Sequence, residues 1–360
     1  MASRKSRGNA PGKIMVVTPV CGGSLPIAHH AARALSALGY DVITADMTSL
    51  NPFYERVWRT AAPEQRQAAF QDQLMAFAGE YVTFLAQTEQ PGLVLSLAQA
   101  PLNRQALEKL RGLGVVSAFW FVEDYRLMGY FRHLAPYYDY FFHIQGRSME
   151  AELDRLGHTD YLYLPLAADE NLFRPINDSE RLAPYRADLS FMGAGYPNRR
   201  IFFNQLLDYD LKIWGSDWDL SSPLGGRVQD QGRRVSTEET VLIYNAARIN
   251  LNLHSSVFSD GLDKEGHFVN PRTFEVAACG AFQLVDRRRP LENHFDLDRE
   301  IITFDSVPDL KEKIDHFTRH PEQCVAIAEK ARQRVLAEHT FRHRMRTMID
   351  FIYHPGGLHG

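Results

Sequence analysis

Short apolar runs alternate along this chain with longer stretches in which apolar side chains recur every three or four positions. Residues 13–18, 41–45, 93–97, 116–121, 139–144 and 161–164 are largely apolar runs, as expected of strands buried on both faces. Between the first two, residues 26–38 place Ile27, Ala31, Leu35 and Leu38 at helical spacing and stop at Gly39. Residues 63–87 set Phe70, Leu74, Phe77, Tyr81 and Phe84 along one helical face. A stripe of this kind is expected to pack in a core. Strand, helix, strand repetition predicts an α/β fold with a parallel sheet covered on both faces.

Residues 164–175 carry Pro165 and Pro175 and break the rhythm, which predicts a hinge. The alternation then restarts. Strands are predicted at 187–192, 211–214, 249–253, 282–285 and 301–304. Helices are predicted at 199–207, 237–247, 271–279, 307–317, 321–338 and 341–353. With 360 residues the chain exceeds one ordinary core. The expected organisation is a disordered tail at 1–12, a first domain at 13–168, a second at 169–340, and a C-terminal helix within 341–360 that crosses back to the first. Ligands of such sheets bind beyond the carboxyl ends of the strands.

Composition narrows the function classes. Hydrophobic content of 45%, charge of 23% and a net charge of −4 are those of a globular protein with no expected nucleic-acid partner. Cys21, Cys279 and Cys324 are isolated, so neither a disulfide framework nor a structural zinc site is expected, and a cytoplasmic setting fits. No apolar run approaches the roughly 20 residues of a membrane span. A basic stretch at 330–346 leaves peripheral lipid contact as the alternative to a solvated helix face.

The richest segment is 267–286. Asn270 suits a helix cap and Pro271 the first helical turn. Gly280 suits the stop, and 281–285 enters a sheet. The start of such a helix points amide dipoles outward, which suits phosphate. Arg272 and Glu275 stand beside it, one cation for a phosphate and one carboxylate for a ribose diol. Three residues apart, they also suit a simple ion pair on the helix surface. The order Arg272, Phe274-Glu275, Ala278-Cys279-Gly280 and an apolar strand resembles the nucleotide-sugar motif of GT-B glycosyltransferases, most closely the CgeB-like (spore-maturation-type) family. The resemblance implies the GT-B fold: two Rossmann-like domains facing each other across a cleft. It implies that Glu275 holds ribose hydroxyls. Many retaining members carry a second Glu eight positions earlier. This chain has His267 there, a residue similar to the diphosphate-contacting His of some inverting enzymes, so the stereochemistry stays open.

Other segments add candidates. Gly193 and Gly195 follow a strand and precede Arg199 and Arg200, a turn whose backbone can approach an anion. An ordinary strand-to-helix turn is the alternative, and a similar turn in CgeB-like proteins favours Arg199 as a diphosphate contact. Asp217 and Asp219 form a D-x-D, the metal motif of single-sheet GT-A transferases; here a loop near the base is the preferred reading. The 254–267 loop is long and polar, as lids often are, with His254 and Lys264 either near phosphate or solvated. Glu123 and Asp124 end a first-domain strand. Asp124 is either the base on an acceptor hydroxyl or a cap for a helix at 125–134, with Glu123 as the second candidate base. Gly22, Gly23 and His29 are placed on the acceptor side.

The resemblance thus implies a glycosyltransferase that moves a sugar from a nucleoside-diphosphate sugar to a hydroxyl of a glycan, lipid-linked or protein acceptor. No cofactor is expected, and with arginines and a helix end to meet the diphosphate no metal is required. A nucleotide-sugar epimerase and a non-catalytic nucleotide-sugar-binding module are the alternatives.

Overall fold

The computed structural model describes residues 10–59, 64–256 and 262–354. Apart from residues 10–12, the expected tail lies outside them. The chain divides into two compact units: residues up to 165 together with those from 341, and residues 166–340.

The first unit is built on β1 (Lys13–Val17), β2 (Asp41–Ala45), β3 (Leu93–Leu97), β4 (Val116–Phe121), β5 (Tyr140–His143) and β6 (Tyr161–Tyr163). They form one parallel sheet in the order β2-β1-β3-β4-β5-β6. Its helices are α1 (Ser24–Ala37), α2 (Asn51–Arg59), α3 (Glu64–Glu89), α4 (Arg104–Gly112), α5 (Phe131–Leu134) and α6 (Arg147–Arg155). The second unit holds β7 (Ala187–Met192), β8 (Leu211–Trp214), β9 (Ala247–Asn252), β10 (Gln283–Asp286) and β11 (Ile302–Phe304). Its parallel order is β11-β10-β9-β7-β8. The helices are α7 (Ser179–Leu182), α8 (Pro197–Phe203), α9 (Thr237–Ala246), α10 (Pro271–Ala278), α11 (Val307–Arg319) and α12 (Pro321–Glu338). The last helix, α13 (Phe341–Tyr353), packs on α1 of the first unit. There Phe341 lies 5.0 Å from His30, which is why His30 faces the core.

Both sheets reverse strand order once, the first between β1 and β3, the second between β7 and β9. Such reversals part the connecting loops and leave a crevice at the strands' carboxyl ends. In the second unit the sheet is filled from below by Phe191, Phe203, Ile213, Leu251, Leu284 and Phe304.

Two expectations are overturned. The aromatic stripe of α3 is not core: Phe77 is 64%, Tyr81 42% and Phe84 62% exposed. The buried face is Ala78, Val82, Thr83 and Ala86. A Cβ on Gly79 would lie 2.9 Å from Cβ of Ala106, so α3 approaches α4 closely and only small side chains fit between them. The helix expected at 125–134 is reduced to Phe131–Leu134, because Asp124 and Arg126 fold the preceding segment into a turn. Helices α2, α4, α6 and α7 were not predicted from the pattern.

Candidate functional site

The second unit gathers most of the predicted residues at its strand reversal. After β7 the chain turns through Gly193 at φ +153° and enters α8 at Pro197. The turn after β8 lies directly against it. Gly193 N–H donates to Trp214 O at 2.9 Å, Gly195 N–H to Ser216 O at 2.8 Å, and Trp218 Nε1 to Gly193 O at 3.0 Å. A Cβ on Gly195 would stand 2.6 Å from Asp217 O. Close backbone approach therefore requires glycine at 195, while positive φ and crowding by the Arg272 side chain require it at 193.

Arg199 is buried, its Nε donating to Leu253 O at 3.0 Å and its Nη1 to Ala194 O at 2.9 Å. Arg272, also buried, donates through Nη1 to Asn252 Oδ1 at 3.1 Å. Their guanidinium carbons lie 5.1 and 4.9 Å from the centre of the Phe191 ring. Neither makes an ion pair with a carboxylate among the described residues, and the Nε of Arg272 is buried without a hydrogen-bond partner. Burial, then the neighbouring charge of Arg272, lowers the pKa of Arg199 to about 9. Two buried cations held side by side by neutral acceptors form a strong receptor for an anion.

Helix α10 supplies Arg272. Asn270 caps it, Oδ1 accepting Thr273 N–H at 3.1 Å, and Pro271 follows. Gly280, at φ +66°, lies just past its end. The surface ion pair between Arg272 and Glu275 does not form: Arg272 turns to Asn252, while Glu275 accepts Tyr244 Oη–H at 3.4 Å. Burial raises the Glu275 pKa to about 7, against the opposing pull of Arg272 and Tyr244. His267 is half-buried on the loop that leads into this helix.

His254 is fully buried, with Nδ1 2.6 Å from Asp286 Oδ1 and Nε2 accepting Asn270 N–H at 3.0 Å. Both ring nitrogens are spent, so His254 lies beneath the site and makes no phosphate contact. Lys264 is exposed and 3.3 Å from Asp305. In the D-x-D, Asp219 Oδ1 accepts the N–H and the hydroxyl of Ser221 at 3.0 and 2.6 Å, and Asp217 Oδ2 takes the Ser216 hydroxyl at 2.7 Å. These are turn-closing bonds. The predicted lid at 254–267 includes residues 257–261, which lie outside the described residues.

The first unit brings Gly22, Glu123 and two unforeseen side chains together at its own strand reversal. Gly22, at φ +99°, follows β1; a Cβ there would lie 2.6 Å from Gln99 Oε1. Gln99 Nε2 donates to Glu123 Oε1 at 2.5 Å, and Tyr130 Oη donates to Glu123 Oε2 at 2.7 Å while accepting Gln99 N–H at 2.8 Å. Burial raises the pKa of Glu123, with Tyr130 and Gln99 opposing. Asp124 is 7% exposed and engaged by Arg126: Nε at 3.0 Å and backbone N–H at 3.0 Å to Oδ1, Nη2 at 2.7 Å to Oδ2. Gly23 precedes α1, and His29 is half-buried on it.

Sequence reasoning missed Gln99, Tyr130, Tyr244, Asn252, Asp286 and Arg288. Asn252, Gln283 and Asp286 did leave a signal, since they are polar positions inside buried central strands. Of the basic stretch 330–346, Arg334 pairs with Glu300 and Glu338, and Arg344 donates to Pro165 O. Among the described residues no helix is long and apolar enough to cross a membrane.

A family model described as "Glycosyl transferase-like" matches residues 199–350. The chain is 27% identical over 244 residues to spore protein CgeB of Bacillus subtilis (strain 168), covering 65% of this chain and 74% of CgeB. Sucrose-phosphate synthase from Thermosynechococcus elongatus superposes with a TM-score of 0.65 at 14% identity, covering 93% of this chain and 97% of its own. HepE from Anabaena, solved with UDP and glucose, superposes with a TM-score of 0.62 at 9% identity, covering 94% and 98%. The fold is therefore GT-B, and the sequence is similar to CgeB over the matched 244 residues.

Proposed function

We propose, for a chain that is CgeB-like in sequence and GT-B in fold, that it transfers a sugar from a nucleoside-diphosphate sugar to an acceptor hydroxyl. The observation that carries this reading is the pair of buried guanidiniums, Arg199 and Arg272, facing one aromatic ring without a carboxylate partner. They would take the diphosphate, with His267 and the N-terminal end of α10 beside them. Negative charge grows on that group as the sugar leaves, so contacts fixed in advance lower the barrier. Glu275, half-buried on α10 beside Arg272, would accept the ribose hydroxyls.

On the acceptor side, Glu123 would be the base. Its carboxylate is held by Gln99 and Tyr130 through neutral donors, and its raised pKa makes it a better proton acceptor than an ordinary glutamate. Asp124, paired with Arg126, would shape the loop. The acceptor would be a glycan, lipid-linked or protein hydroxyl. No metal is invoked, because two guanidiniums and a helix end supply the positive field.

The direct test is calorimetry with UDP, the nucleotide bound by HepE, then ADP, GDP, CDP and dTDP, followed by transfer assays with the matching sugars. A nucleoside diphosphate bound by the protein with Arg199 and Arg272 intact, and lost in Arg272→Met, is expected. Turnover within about twofold in chelator is expected too; activity abolished by chelator and restored by Mn²⁺ would move the diphosphate contacts to Asp217 and Asp219. A nucleotide sugar isomerised without acceptor would make the protein an epimerase.

A further inference from the structure

Beneath the two arginines runs a connected set of buried polar groups that the proposed chemistry does not use. Asp286, at the end of β10, is fully buried. Its Oδ1 accepts the backbone N–H of His254 at 2.8 Å and lies 2.6 Å from that residue's Nδ1. Its Oδ2 accepts Arg288 Nε at 3.1 Å. Arg288, itself 1% exposed, donates through Nη2 to Ser255 O at 2.8 Å. A Cβ on Gly266 would collide with Arg288 at 2.0 Å, so the loop is pressed directly onto the guanidinium.

From His254 the chain of contacts continues toward the site. Its Nε2 accepts the backbone N–H of Asn270 at 3.0 Å. The Asn270 side chain donates through Nδ2 to Asn252 Oδ1 at 2.8 Å, and that same oxygen receives Arg272 Nη1 at 3.1 Å. Asn252 is fixed in turn by Thr273 Oγ1 at 2.9 Å and Gln283 Oε1 at 3.1 Å. The imidazole faces a carboxylate on one side and an N–H donor on the other. Only the neutral ring with its proton on Nδ1 satisfies both. Burial lowers the pKa of His254 to about 4, with Asp286 opposing, which keeps the ring neutral near pH 7.

We propose that His254 is a positioning residue: held by Asp286 in its Nδ1-protonated tautomer, it fixes Asn270 and, through Asn252, aims Arg272 at the diphosphate. This rests on the nucleotide-sugar reading above. The free energy resides in pre-organisation, since an arginine already aligned loses less freedom when the anion arrives.

Two complementary variants test it. In His254→Asn an amide nitrogen can keep the Asp286 contact, but nothing reaches Asn270. In His254→Gln the amide oxygen can reach Asn270 while the side-chain bond to Asp286 is lost. Calorimetry with UDP and with uridine (or whichever diphosphate and nucleoside the wild type binds) is expected to show His254→Asn weakening the diphosphate tenfold or more, with the nucleoside changed less than threefold. His254→Gln should restore diphosphate affinity to within about threefold of wild type. Equal behaviour of the two variants, or equal loss of diphosphate and nucleoside, overturns the proposal while leaving the nucleotide reading intact. A wild type that binds none of the five diphosphates overturns both. Nitrogen NMR with labelled histidine gives an independent measure: the ring whose signals vanish in His254→Asn, if protonated on Nε2 instead of Nδ1, rules the relay out.

Discussion

A Cβ atom placed on Gly193 would lie 2.4 Å from Nη2 of Arg272. The turn after β7 is thus shaped around a guanidinium delivered from α10, almost eighty positions later in the chain. Gly193 also sits at φ +153°, where a side chain is strained. Gly193→Ala should displace Arg272 from the Phe191 ring and weaken nucleoside-diphosphate binding tenfold or more, read by calorimetry. A variant that binds as well as wild type would mean that Arg272 moves aside freely and is not pre-aligned.

Glu275 gives a pH dependence of defined sign. Its pKa is raised from 4.5 to about 7, first by burial. Between those values the unfolded chain has released the proton and the folded protein retains it. Stability therefore falls as pH rises through this window, by at most about 3 kcal/mol, and levels off above it. Denaturant unfolding at pH 5 and pH 8 should show this fall in wild type and not in Glu275→Gln. Nucleotide affinity should run the other way, increasing toward pH 7 as the carboxylate that accepts ribose hydroxyls forms, and staying flat in the variant. A wild type with pH-independent affinity would remove Glu275 from the ribose site.

Local signals carried the fold well. All eleven strands among the described residues lie within a few residues of apolar runs, and Asn270, Pro271 and Gly280 mark the ends of α10 as their chemistry predicts. The boundary between the two compact units follows Pro165, in the segment where the prolines break the alternation. The sequence was silent on matters decided by distant neighbours. Whether Arg272 pairs with Glu275 depends on Asn252 and Tyr244, which no spacing rule connects to it. His254 was legible as the first residue of a polar loop, but its burial depends on Asp286, thirty-two positions away, and on Arg288. Gln99 and Tyr130 were invisible because their role depends on strand order: β1, β3 and β4 are adjacent in space.

The stripe on α3 shows the same limit and yields a prediction. Helical spacing identified a face but not which face would be buried; the close approach to α4 selected the small residues. Phe77→Gln and Phe84→Gln should each change stability by less than about 0.5 kcal/mol, as for exposed sites. Val82→Ser, at a fully buried position, should cost at least about 2 kcal/mol through lost packing and a hydroxyl without water. Thermal unfolding of the three variants checks the order, and a large loss at Phe77 or Phe84 would show that face to be covered.

Glu123 and Asp124 are neighbours with different surroundings, and turnover should separate them. Glu123 is held by two neutral donors and is desolvated, so it retains basicity. Asp124 shares both oxygens with the Arg126 guanidinium, a bidentate pair that occupies the oxygens an acceptor hydroxyl would need. Glu123→Gln should lower turnover 10²–10⁴-fold, the usual contribution of a general base, with nucleotide affinity near that of wild type. The acid limb of kcat/KM against pH should lie above the ordinary glutamate value in wild type and disappear in this variant. Asp124→Asn should instead lose about 1–3 kcal/mol of stability as Arg126 is left without its charged partner, with turnover falling less than tenfold once the protein is folded. The opposite pattern, full activity without the Glu123 carboxylate and a 10²-fold loss without that of Asp124, would return the base to Asp124 and make the Arg126 pair a resting state that the acceptor must open. Full activity in both variants would favour a retaining reaction in which no protein base serves the acceptor.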